Sequence, residues 1–181
     1  YSPYKVAETF RLLETMYPGR IDLGIGRAPG ADQITSAALA YGSPIGIEYF
    51  PTKIADLAAF VSGGKPATEA LERVSVNPQV ATVPEIWLLG SSDESARYAA
   101  HFGLSFSFAQ FISPLGGEAV LEAYRRTFRP SALLAEARAS IGIFVICADT
   151  EAEARRLGRS RDLWRLRIDR GERKPYPSVE E

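Results

Sequence analysis

The chain has 181 residues, 46% of them hydrophobic and 24% charged, with a formal net charge of −1. That length holds one ordinary domain with a sizeable core, and the composition excludes disordered and fibrous classes. The near-zero charge gives no electrostatic footprint for nucleic acid or an anionic membrane, and no stretch approaches the roughly 20 apolar residues a membrane helix needs.

The single cysteine, Cys147, rules out an internal disulfide, so a cytoplasmic location is the default. No signal peptide is visible, although the sequence starts at Tyr1 and leaves an upstream segment open.

Along the chain, "KVAETFRLLETMYPGR" spaces Val6, Phe10, Leu13 and Met16 or Tyr17 as one face of a helix, stopped by Pro18-Gly19. "IDLGIG" (21–26) follows as a short buried strand. "TSAALAYG" and "PTKIADLAAFVSG" read as two helices joined by a loop rich in glycine and proline. "RVSVNPQV" is either a short extra strand or an extended connection.

"EIWLLG" (85–90) is the second strand, followed by the helix "SSDESARYAAHFG", which ends at Gly103. "LSFSFA" (104–109) is the third strand, "AVLEAYRRTF" a helix, and "IGIFVICA" a fourth strand over 141–147. "TEAEARRLGRSRDLWRLR" closes the series as a charged helix with Thr150 as N-cap, docked through Leu163, Trp164 and Leu166. The tail "DRGERKPYPSVEE" reads as an ordered loop or a linker. No internal repeat or low-complexity segment interrupts the alternation. Strands alternating with helices predict a parallel sheet, open or closed into a barrel, with strands apolar on both faces.

In such sheets, ligands meet the residues just past the C-terminal ends of the strands. Arg27 stands at one such end, and Ser91 and Ser92 stand at another. Gly90 lets the backbone approach a ligand, and the helix after it offers free first-turn amides, with Ser95 one turn in. Ser91 with Glu94 is equally a capping box, and Asp93 and Glu94 would repel an anion unless they point away. Arg27 is open in the same way, to a bound anion or to a salt bridge with a nearby carboxylate such as Asp32. "GIGRAPG" lacks both the GxGxxG spacing and the Walker lysine.

The only histidine, His101, lies late in its helix, where the dipole favours a positive ring. One histidine and one cysteine leave no ligand set for zinc and little for a Ser/His/Asp triad. Trp87, inside an apolar strand, reads as core.

The blocks "SPYKVAETFRLLETMYPGRIDLGIGRAPGAD" and "PEIWLLGSSDESARYAAHFGLSFSFAQF", with "VICADT" further on, resemble the bacterial luciferase-like flavin-dependent monooxygenases. The likeness is greatest to the subgroup carrying "PGRIDLGIGRAPG", and it runs through nearly the whole chain. It implies a TIM (β/α)8 barrel, an oxidoreductase that uses reduced FMN, or in some branches a reduced deazaflavin coenzyme, with molecular oxygen on an organic substrate. By the same resemblance Gly26, Arg27 and Ala28 approach the flavin, while Gly90, Ser91, Ser92 and Ser95 hold its phosphate. No catalytic acid or base and no metal ligand is implied.

The partners implied are a small-molecule substrate, oxygen, a separate flavin reductase in some systems, and a second copy in a full-length homodimer. Family members have eight strands and the chain shows four, so one barrel domain over 1–181 is expected to be incomplete, lacking the first three strands and the last. An internal piece of a longer protein is then expected, with open sheet edges that promote self-association. The alternative is a non-catalytic or degenerate flavin-binding fragment.

Overall fold

A computed structural model describes residues 1–27, 33–39, 47–79, 81–172 and 174–181. The chain divides into two compact units, Tyr1–Gly142 and Ile143–Glu181, considered in turn.

Helix α1 (Pro3–Met16) opens the first unit, with Ser2 accepting a bond from the Lys5 amide and Pro3 in the first turn, where its missing N–H costs nothing. Its buried stripe is Ala7, Arg11 and Glu14, flanked by Tyr4, Val6 and Phe10. Met16 and Tyr17, expected inside, are 58% and 47% exposed. The two charged residues displace them because each finds partners. Arg11 donates to the Phe60 carbonyl (3.2 Å) and to Gln79 (3.0 Å). Glu14 accepts from the Gly19 amide (2.7 Å) and the Thr82 hydroxyl (2.6 Å), tying together the two connections that lead into the first two strands.

Strands β1 (Asp22–Gly26), β2 (Glu85–Gly90), β3 (Ser105–Ala109) and β4 (Ala139–Gly142) form one sheet in the order β1-β2-β3-β4, every pair parallel. The ladder sets Gly26 opposite Leu89, Gly90 opposite Phe108, and Ala109 opposite Gly142. Helices α2 (Gln33–Leu39) and α3 (Phe50–Ser62) lie between β1 and β2 in the chain; residues 40–42 of the expected first helix fall outside the described residues. The stretch 73–79 forms no strand and runs as a connection with a cis Asn77–Pro78 bond. Helices α4 (Asp93–Phe102) and α5 (Gly117–Thr127) pack on β2 and β3.

One face of the sheet is uniformly apolar; the other, expected to be apolar too, mixes Trp87 and Leu89 with glycines and serines. Leu23, Ile86, Leu88, Phe106 and Phe108 face the helices and are 0–3% exposed. Each such side chain contributes about 1.5–3 kcal/mol by leaving water. Alternation places Gly24, Gly26, Trp87, Leu89, Ser105, Ser107 and Ser140 on the other face. There Glu85 accepts from Ser105 and pairs with Arg138, and Ser140 donates to Ser107 (2.9 Å). The layout, parallel strands in sequential order with the connecting helices on one face, is that of part of a TIM barrel.

The fourth strand also shifts. It was expected over 141–147, and it pairs over Ala139–Gly142. The Phe106 amide donates to the Arg138 carbonyl, which extends the pairing backwards through a polar stretch. Forwards, β3 ends at Ala109 and the chain turns at Gln110, so β4 has nothing further to pair with on that side.

In the second unit, helix α6 (Glu151–Asp169) begins with the Thr150 hydroxyl accepting from the Glu153 amide, as expected. The tail is an ordered loop. Ser160 donates to the Pro177 carbonyl, Trp164 packs its ring on Tyr176 (5.8 Å between centroids), and Arg167 pairs with Glu181 (2.6 Å). Cys147 is exposed.

Two consequences are measurable. Gly103 ends α4 at φ 63°, and a Cβ there would stand 2.5 Å from the Arg129 carbonyl oxygen. Gly103→Ala should therefore lower unfolding free energy by about 2–4 kcal/mol, read as a lower denaturant midpoint. Tyr124 is 1% exposed and its hydroxyl donates to the Leu104 carbonyl (2.8 Å), while burial pushes its pKa above the ordinary value of 10.0. A raised value means the folded chain holds that proton after the unfolded chain has lost it, so stability falls as pH climbs beyond 10.0. Tyr124→Phe should cost about 1–3 kcal/mol at neutral pH and lose less than the parent over that alkaline window, by denaturation at stepped pH.

Candidate anion site at the strand ends

β1 and β2 end level with each other, because the parallel register makes Gly26 the partner of Leu89. Arg27 is the first residue past β1, and Ser91 and Ser92 are the first past β2. All three therefore stand on one edge of the sheet, and α4 starts beside them.

The start of α4 differs from the sequence expectation. Ser92, not Ser91, is its N-cap residue, and no side chain caps the first turn. The expected Ser91–Glu94 box does not form because the Glu94 carboxylate is engaged elsewhere. Arg27 Nη1 donates to Glu94 Oε2, joining positions 67 apart in the chain. Glu94 Oε1 accepts from the Tyr98 hydroxyl one turn on (3.1 Å). That bond raises the Tyr98 pKa above its ordinary value, with burial and the carboxylate's charge adding in the same direction. The phenol stays a donor.

Arg27 and Glu94 leave 32% and 42% of their side chains exposed, so the pair is partly screened by solvent. Its geometry nonetheless fixes the arginine at the rim instead of letting it swing into water.

Gly90 has a structural reason of its own. A Cβ there would run into the Ser95 side chain, which is 5% exposed and packs the first turn of α4 against the strand end. Gly90 and Ser95 thus set how closely α4 approaches β2, while Ser91 and Ser92 are half-buried at the turn. Gly26 lies at the exposed end of β1. Ala28 and the suggested arginine partner Asp32 fall outside the described residues. His101 takes the helix-end place expected for it, with its ring against Phe102 and 3.4 Å from the Arg129 guanidinium. Trp87 is half-buried on the face away from the helices, and its indole N–H is buried without a partner.

Sequence reasoning brought Arg27 and the serine turn together but missed what joins them. Glu94 was weighed as a cap and as a charge repelling an anion, not as a partner of Arg27, and Tyr98 not at all. The spacing of Glu94 and Tyr98, four apart on one helix face, was the available signal.

The rim can hold an anion through one guanidinium, two hydroxyls and an uncapped helix start, against the opposing charges of Asp93 and Glu94. Comparison with known proteins gives this arrangement its context. The chain is similar to the uncharacterized protein YceB of Bacillus subtilis, 44% identical over 181 residues, which are 100% of this chain and 55% of that protein. It is 39% identical over 183 residues to a luciferase-like monooxygenase of Escherichia coli K12, covering 98% of this chain and 52% of that one. Among solved structures it matches apo-MsnO8 with a TM-score of 0.85 and 34% identity, over 99% of this chain and 53% of that one. The chain thus spans about half the length of the curated relatives it matches. The family model for luciferase-like monooxygenases matches residues 1–178, and the chain belongs to that family.

Proposed function

We propose that this chain carries the flavin-phosphate side of a flavin-dependent monooxygenase site, working with reduced FMN and molecular oxygen on an organic substrate. The observation that carries this reading is the meeting of Arg27 with the uncapped start of α4 on one sheet edge, in a chain of this family. The donor set suits a phosphate. Arg27 supplies a permanent positive charge, Ser91 and Ser92 supply hydroxyls, and the first-turn amides of α4 supply N–H groups along the helix dipole. Gly26 and Gly90 stand at the two strand ends beside it, Ser95 shapes the site from behind Gly90, and Ala28 belongs to the same assignment by the family resemblance. A reduced deazaflavin coenzyme, also phosphorylated, suits the same donors.

When bound, the flavin supplies the redox chemistry by which oxygen is activated. The residues described here bind and orient it by its phosphate. Their role in this reading is binding and orientation alone, with Glu94 paired to Arg27. The family match runs through both compact units, which supports one barrel domain over 1–181. Cytoplasmic location, a homodimer in the full-length protein and supply by a separate flavin reductase belong to the same proposal.

The test is flavin titration. Arg27→Ala should weaken FMN binding by about tenfold, the lower end of a charge-assisted contact worth about 1.5–3 kcal/mol, because the arginine is one-third exposed. A melting curve taken alongside separates binding from folding. Wild-type FMN affinity combined with a lowered melting temperature would make Arg27 a purely structural ion pair and overturn the phosphate assignment.

A further inference from the structure

At this rim the Arg27 guanidinium pairs with the Glu94 carboxylate. The carboxylate is itself held in place by the Tyr98 hydroxyl (3.1 Å), so two neighbours fix its position. Glu94 also lies in the first turn of α4, beside the amides an incoming anion would use. An anion and this carboxylate therefore compete for the same guanidinium.

We infer that Glu94 is a built-in competitor for Arg27, a carboxylate that occupies the arginine while the anion site is empty and must release it for the flavin phosphate to bind. The inference rests on the phosphate placement proposed above and adds a specificity-determining residue to it. Three physical points support it. The ion pair joins the end of β1 to the first turn of α4, so it is a tertiary contact that ligand binding can exchange, not a fixed pair within one helix. Both partners are partly exposed, which keeps the pair weak enough to be opened by a dianion. Tyr98 offers the released carboxylate a hydrogen bond it already makes, so Glu94 is not left unsatisfied after exchange.

The competitor also sets selectivity. A ligand lacking a phosphate gains nothing from freeing Arg27, whereas a phosphorylated one gains a cation and keeps Glu94 as a neighbouring negative charge. The carboxylate lowers affinity for phosphorylated flavin and keeps the arginine positioned between ligands.

The experiment compares FMN with riboflavin, which lacks the phosphate, on the wild-type chain, Glu94→Gln, Arg27→Gln and the double variant, with melting curves for each. Glu94→Gln should tighten FMN binding about three- to tenfold, the range of a partly exposed ion pair, and leave riboflavin unchanged. In the Arg27→Gln background that gain should shrink to less than half. Glu94→Asp keeps the charge on the first turn but withdraws it by one methylene, so it too should tighten FMN and serves if Glu94→Gln folds poorly.

If the full gain survives without Arg27, Glu94 is a plain repulsive charge and the inference fails. Unchanged or weaker FMN binding by both Glu94 variants, with Arg27→Gln still weakened, overturns the competitor and leaves the flavin site standing. FMN binding no tighter than riboflavin in the wild type, with no response to Arg27→Gln, removes the phosphate placement and this inference together.

Discussion

The parallel ladder between β1 and β2 pairs Asp22 with Glu85 and Gly26 with Leu89. Because the strands run the same way and end level, the residue after one strand meets the helix that follows the other. An antiparallel pair, or a slip of one residue, would send Arg27 away from α4 and turn every side chain to the opposite face. The core on the helix side and the rim at the strand ends are both consequences of that register. Glu14 reinforces it from the other end of the sheet, by binding the Gly19 amide before β1 and the Thr82 hydroxyl before β2.

Burial of the helix-facing side chains holds the layers together, and polar groups specify their alignment. Tyr124 shows both roles: its ring packs beside Phe106 (5.6 Å between centroids), while its hydroxyl reaches the Leu104 carbonyl. Gly103 and Gly90 mark where layers approach too closely for any side chain, at Arg129 and at Ser95. These are constraints of geometry, and each belongs to one position.

Much of this was legible in the sequence. β1 to β3 and the helices around them follow from runs of apolar residues, glycine stops and helical spacing. Strand direction follows from the alternation of the two element types. The shifted fourth strand was not legible, because "IGIFVICA" has strong strand character while "RAS" before it has none. Pairing is decided by where the neighbour's backbone ends, and β3 ends at Ala109. The charged stripe of α1 was hidden for a related reason. Arg11 and Glu14 are buried only because a carbonyl, an amide and a hydroxyl from distant segments receive them. At the rim, Arg27 and the serine turn stood out as residue types, and the family resemblance brought them together. The Glu94 bond depends on a contact across 67 residues that no local pattern encodes.

That long separation has a further consequence, for how the chain folds. The rim comes into being only once β1 and β2 have paired, so nothing that binds it can find a site in the unfolded chain. A flavin phosphate seated there as proposed would stabilise the paired state by mass action, in proportion to RT ln(1 + [L]/Kd), or about 2.7 kcal/mol at a hundredfold excess over Kd. Closing the long loop between the strands costs entropy that grows slowly with its length, and a bound ligand offsets that cost where it falls. With a flavin so bound, cofactor supply would govern how much of the chain is folded and escapes proteolysis, and cellular flavin levels would register as protein abundance.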